Sequence, residues 1–274
     1  MTSRSRATLR ARVGRLLVAR GQRWSHSEAQ REGQRVVAIL GMHRSGTSSL
    51  AGSLEEAGLY LGGSDVAGKS RWNARGNRES STLMRIHDDL LEANGGRWDR
   101  PPEQVAWSAE HRARRDRFIA SRASHGIWGF KDPRTLLTFE GWIEALPGLE
   151  MVATIRHPVA VAESLLRRAG RGSLEAWLDL WLAYDERLLR LADTYHFPII
   201  DFDLPDEQYQ QRLAEITTDL GLPARQRRER FFESSLRSPG PAADVAVRAE
   251  IEEVHRRLSA IAAQQLADPS RKKS

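Results

Sequence analysis

At 274 residues the chain can bury a full core, and one large domain is the expectation. Its 40% hydrophobic and 28% charged residues are ordinary for a globular protein. No apolar run approaches the roughly 18–20 residues that span a bilayer. The absence of cysteine excludes disulfides, thiolate metal sites and a cysteine nucleophile.

The formal charge of +6 is unevenly placed. Residues 1–35 hold nine arginines against Glu28 and Glu32, a net of +7, which leaves −1 for the remainder. The chain therefore divides into a basic N-terminal arm, 1–34, and a near-neutral body, 35–274. The arm reads as solvated and partly helical, or as a contact for an acidic membrane surface or nucleic acid. A near-neutral body argues against a nucleic-acid partner. The short apolar run Leu16–Ala19 is too brief for a secretory signal, so a cytoplasmic location is expected.

Arg35–Leu40 is a short β-branched run, as a strand buried on both faces requires. Gly41–Gly46 reads as a turn, and Thr47–Ala57 as a helix closed by Gly58. The polar stretch Gly62–Ser81 is a long loop, of a length that is often functional. Leu83, Ile86, Leu90 and Leu91 follow at helical spacing, and Ala109–Ser124 is a charged helix. Ile127–Lys131 is the second strand, Thr135–Ala145 a helix, and Glu150–Ile155 the third strand, ending at Arg156-His157-Pro158. Val159–Arg168 and Leu174–Ala192 read as helices, Pro198–Phe202 as the fourth strand, and Gln208–Leu220 and Val247–Ala263 as further helices. This alternation predicts an α/β fold of three layers, a central parallel sheet between helices, in a single P-loop-like domain.

The layout strand, Gly41-Met-His-Arg-Ser-Gly46-Thr47-Ser48, helix is that of a phosphate-gripping loop. Glycines let the backbone curl, and the helix N-terminus offers unpaired N–H groups to an anion. In loops that hold a nucleoside triphosphate with magnesium, a lysine follows the second glycine. Thr47 stands there instead, and the cation sits earlier, at Arg44. A phosphosulfate carries less charge and can be served without a metal by one cation and the hydroxyls of Ser45, Thr47 and Ser48.

Arg44-Ser-Gly-Thr-Ser48 resembles the 5′-phosphosulfate loop of sulfotransferases that use 3′-phosphoadenosine 5′-phosphosulfate (PAPS) as donor. The family's second signature is a strand-ending arginine followed eight residues later by a helix serine, which together hold the 3′-phosphate. Arg156 and Ser164 match it, and the resemblance spans about Arg35–Leu222. It implies Gly41, Arg44, Ser45, Gly46, Thr47, Ser48, Arg156 and Ser164 as donor-binding residues. Arg237, in Ser234-Ser-Leu-Arg-Ser238, resembles a segment that approaches the nucleotide. The Arg-Lys-Gly motif of the cytosolic small-molecule branch is absent, as is its tryptophan after the loop threonines. The chain therefore sits nearer the carbohydrate and protein-tyrosine branches.

Sulfuryl transfer needs alignment, charge stabilisation at the leaving oxygen and a base for the acceptor hydroxyl. Arg44 and Lys131 are the candidate cations. Lys131 ends the second strand in Gly129-Phe-Lys-Asp-Pro-Arg134 and is one of only four lysines against 38 arginines. Asn73-Ala-Arg-Gly-Asn-Arg-Glu79 resembles the N-x-x-G-x-x-E segment of bacterial members, which makes Glu79 the candidate base. His87 is the reserve, and His43 is left unassigned. Trp72, Trp98 and Trp107 flank the acceptor side, as packing or as stacking surfaces. The expected acceptor is a hydroxyl on a glycan, glycolipid or similar molecule. A P-loop kinase or nucleotidase, and a nucleotide-binding interaction protein without catalysis, are the alternatives.

Overall fold

The computed structural model describes residues 34–66, 76–222 and 245–267. Arg237, Trp72 and the arm before Gln34 lie outside the described residues. In chain order the elements are β1 (Arg35–Leu40), α1 (Thr47–Glu56), α2 (Ser81–Ala93), α3 (Ala109–Ala120), β2 (Ile127–Lys131) and α4 (Phe139–Ala145). Then follow β3 (Glu150–Ile155), α5 (Pro158–Ala169), α6 (Leu174–Thr194), β4 (Ile199–Asp201), α7 (Asp206–Asp219) and α8 (Ala249–Ala267).

The four strands form one parallel sheet in the order β2-β1-β3-β4. Alternation along each strand divides the core in two. Val36, Ala38 and Leu40 point to a cluster built with α2, α3, α4, α5, α6 and α8. Val37, Ile39, Val152 and Ile200 point to the opposite cluster, with Leu50 and Leu54 of α1 and Tyr209 and Ile216 of α7. Because both faces are covered, β1 is apolar at every position after Arg35, whose guanidinium pairs with Glu150 at 2.7 Å.

Strand order decides where a ligand can sit. The chain leaves β1 for β2 on one side and then returns past β1 to lay down β3. Between β1 and β3 the connections therefore diverge, opening a crevice at the strands' C-terminal ends. Two loops meet there, the one after Leu40 and the one after Ile155.

The expected single helix over Thr135–Ala145 is divided. Pro133–Leu136 forms a 3-10 turn, and α4 begins only at Phe139. Asp132 caps the turn through Arg134 N, and Thr138 Oγ1 donates to the Arg134 carbonyl at 3.1 Å, occupying an acceptor that a continuing helix would use. The long loop is also partly ordered into secondary structure: Gly63–Asp65 is a 3-10 turn and Val66 bridges to Ser80. Gln34, the last residue of the expected arm, is already tied to the body through Arg122 and His125 carbonyls, both at 3.0 Å. Among the described residues no helix is long and apolar enough to cross a membrane.

Candidate active site

The loop after β1 is shaped by two glycines and one strained arginine. At Gly41, φ is +139°, and a Cβ there would lie 2.5 Å from the Thr154 carbonyl of β3. At Gly46, φ is +87°, and a Cβ would fall 2.2 Å from the Phe202 ring. Arg44 itself takes a left-handed φ of 69°, costly for a side chain with a Cβ and common where backbone strain serves a site. Thr154 Oγ1 ties the loop down by donating to the Ser45 carbonyl at 2.8 Å. No side-chain hydrogen bond caps α1 at Gly46, and an uncapped helix start is one that an anion can cap.

The sequence signatures converge in space. Arg44 Nε donates to Ser164 Oγ at 2.9 Å, so the loop touches the serine on α5. Arg156, at the end of β3, is 2% exposed and points Nη1 at the Arg44 carbonyl, 3.5 Å away. Pro158 starts α5 with its φ already set for a helix, which places Ser164 on the inner side. Burial, followed by the nearby Arg168, Arg156 and Arg167, lowers the Arg44 guanidinium to about 10. Crowded, buried cations are unfavourable unless an anion joins them.

The other wall holds the candidate base and the second candidate cation. Lys131 Nζ lies 2.6 Å from Glu79 Oε1 and 3.3 Å from Ser48 Oγ, so one ammonium links the loop's helix to the carboxylate. Ser48 Oγ in turn donates to the Asn77 carbonyl at 3.0 Å. Lys131 is 1% exposed and Glu79 9%. Ser45 and Thr47 are also buried, and Ser45 Oγ has no hydrogen-bond partner among the described residues.

His87 is fully enclosed. Trp142 Nε1 donates to its Nε2 at 3.0 Å, which leaves the ring proton on Nδ1, facing Asp132 Oδ2 at 3.2 Å. Arg134 Nη1 binds both Asp132 oxygens at 3.0 Å. Burial works against the Asp132 charge, yet Arg134 and His87 hold its carboxyl well below the usual range. Fully buried, with Nε2 bonded to Trp142 and Nδ1 facing Asp132, His87 packs beneath the site. Trp107 is likewise core, edge-on to Trp142.

Trp98 is different, since its ring lies 4.7 Å from that of His43 and 6.3 Å from Trp177. Burial, then Arg134, holds the His43 imidazole well below its ordinary value, and its Nε2 has no partner among the described residues. His43, Trp98 and Tyr184, whose hydroxyl donates to the Trp98 carbonyl at 2.9 Å, make an aromatic wall beside the loop.

Three contributors escape sequence reading. Asp203 accepts from Arg156 Nε at 3.1 Å and from His157 N at 2.9 Å, fixing the strand-ending arginine. Phe202 stands 5.3 Å beneath the Arg156 guanidinium and against Gly46. Thr154 anchors the loop from β3. Asp203 had a faint signal, an acid just beyond a strand's C-terminal end, whereas Phe202 and Thr154 looked like core.

No protein-family model and no curated protein matches the chain. Among solved structures it resembles the sulfotransferase domain of the Synechococcus PCC 7002 olefin synthase, with TM-score 0.53 and 14% identity over 87% of this chain and 98% of that one. Weaker likenesses are to a sulfotransferase from Alicyclobacillus acidocaldarius, with TM-score 0.44, 16% identity and 84% and 96% coverage, and to one from Mycobacterium tuberculosis H37Rv. The latter has TM-score 0.43 and 16% identity over 83% of this chain and 77% of that one. The chain therefore has the fold of the olefin synthase domain.

Proposed function

We propose that this protein is a sulfotransferase that moves a sulfuryl group from PAPS to an acceptor hydroxyl without a metal. The observation that carries the reading is the contact between Arg44 and Ser164, with Arg156 beside them, at the crevice between β1 and β3. Two anion grips that lie side by side suit one nucleotide bearing a 5′-phosphosulfate and a 3′-phosphate. When bound, that nucleotide supplies an activated sulfuryl group. The β1 fold context and the olefin synthase likeness support the same reading.

In this reading Gly41–Ser48 curls round the phosphosulfate, and Arg44 neutralises the phosphate as it leaves. Arg156 and Ser164 hold the 3′-phosphate, with Asp203 keeping the Arg156 fork in place. Glu79 takes the proton of the acceptor hydroxyl as the oxygen–sulfur bond forms, and the bond from sulfur to the bridging oxygen breaks with its electron pair passing to the phosphate. Lys131, between Ser48 and Glu79, places an ammonium where that bridging oxygen gains charge. The acceptor is proposed to enter beside His43 and Trp98, as a hydroxyl of a glycan, glycolipid or similar molecule. Arg237, the basic arm as a membrane contact and a cytoplasmic location remain part of the proposal.

Thermal melting tests it. The product nucleotide, 3′,5′-adenosine bisphosphate, should raise Tm in the absence of magnesium, by mass action on the folded state. ATP with magnesium should not match it, because Thr47 replaces the lysine that a triphosphate needs. No shift at millimolar bisphosphate would refute the reading.

A further inference from the structure

Asp65 lies outside the site just described, yet its carboxylate collects the whole start of α2. Oδ2 accepts from Ser80 Oγ, and Oδ1 accepts from Ser81 Oγ at 2.7 Å, Thr82 Oγ1 at 3.0 Å and Thr82 N at 3.2 Å. On its other side Arg122 Nη2 donates to Oδ2 at 3.2 Å. Arg122 is no loose surface group. It is 5% exposed, its guanidinium lies 3.7 Å over the Phe118 ring, and Nη1 reaches Ser121 Oγ at 2.9 Å. The carboxylate thus joins the helix start to an arginine packed into the core.

Glu79 is the residue immediately before this clamp. It precedes the N-cap, Ser80, so no helical hydrogen bond fixes its backbone. Its segment is held instead at two ends, by Ser48 Oγ on the Asn77 carbonyl and by Ser80, which bridges to Val66 and hydrogen-bonds Asp65. Between those anchors the Glu79 side chain meets Lys131. Ser80 already caps the helix by accepting from Leu83 N, so a distant carboxylate shared by three consecutive side-chain hydroxyls and a buried arginine is more than a cap needs.

We propose that Asp65 is a positioning residue, which with Arg122 sets where Glu79 stands against Lys131. The inference rests on the reading of Glu79 as base. It adds a residue at the start of the long loop, whose far end carries Glu79, to the proposed mechanism. Loss of the clamp leaves the donor grips untouched, because Arg44, Arg156 and Ser164 belong to other elements. It lets the Glu79 carboxylate drift, and a displacement of about 1 Å can cost on the order of a hundredfold in rate.

The test uses the full chain with Asp65→Asn, which keeps size but loses charge, and Asp65→Ala as the stronger change. Expected are a fall in kcat of about tenfold or more, with the melting shift from 3′,5′-adenosine bisphosphate unchanged. The amides of Thr82 and Leu83 should exchange with solvent faster while Leu50, in the first turn of α1, keeps its rate. An unchanged kcat alongside faster exchange would make the clamp a mere helix cap and overturn the proposal. Unchanged exchange at Thr82 and Leu83 also overturns it, and this arm needs no acceptor. If wild-type protein gives no turnover at all, the sulfuryl-transfer reading fails separately and the exchange data alone decide whether the clamp exists.

Discussion

Arg44 Nε donates to Ser164 Oγ across 2.9 Å, joining residues 120 positions apart in the chain. The bond fastens the loop after β1 to the helix after β3, so the two proposed anion grips form one surface. It also holds a cation among other cations, since Arg156, Arg167 and Arg168 all weigh on it.

Neutralising that cation should separate stability from binding. Arg44→Met is expected to melt at or above the wild-type temperature without ligand, because the folded state lowers the guanidinium from its ordinary value and so disfavours its charge. The same variant should bind 3′,5′-adenosine bisphosphate roughly 10–100-fold more weakly, the worth of one charged hydrogen bond. Parallel melting and calorimetric titration would check both halves.

The pair Lys131 and Glu79 should behave as a unit under mutation. Lys131→Met strands a largely buried carboxylate and is expected to cost about 3 kcal/mol or more. Glu79→Gln leaves an ammonium that is 1% exposed and should destabilise as well. The double variant should be less destabilised than the sum of the two, which urea unfolding in a double-mutant cycle would reveal.

Asp132 supplies acid sensitivity beneath the site. Its folded carboxyl is held below the ordinary 3.8 by Arg134 and His87, against burial. Its contribution to stability is therefore complete above the unfolded value and is lost as pH falls towards the folded one. Asp132→Asn should unfold at lower urea at pH 7, by about 3–5 kcal/mol for a broken buried pair. Its midpoint should then change less with pH below 4 than that of the wild type.

A second pH dependence runs through His255, whose ring lies 5.0 Å from His157 and 6.2 Å from Trp181. Burial, then His157, lowers His255 to about 4, while Asp203 opposes the shift. Unfolded chains take up the proton near 6.5 and folded ones only near 4, so stability should decline as pH drops through that window. His255→Gln should flatten the decline in Tm between pH 7 and 4.

Gly46→Ala tests the packing of the loop itself. The new methyl carbon would lie 2.2 Å from the Phe202 ring, at a φ of +87°. The loop must shift, so the bisphosphate-dependent rise in Tm should vanish even where the protein stays folded. Retention of the full shift would show that the loop tolerates a path other than the one seen.

Much of this protein was legible before any coordinates. Strand positions followed from β1, an unbroken apolar run between a charged start and a glycine turn, because a strand covered on both faces admits nothing else. The turn after β1 was legible too, since Gly41 and Gly46 take the positive φ that a tight turn before a helix requires, which is a matter of local backbone geometry. The break within Thr135–Ala145 was not, because it depends on which acceptor the Thr138 hydroxyl finds.

Tertiary structure alone decided the partnerships. The order β2-β1-β3-β4 brings Arg44 to Ser164, and nothing near either residue states that order. His87 and Asp132, Arg156 and Asp203, and Asp65 and Arg122 all pair across long stretches of chain. Local sequence determines what a segment can become, through propensity and pattern. Which polar groups meet depends on how the segments pack, and packing is a property of the whole core rather than of any one of them.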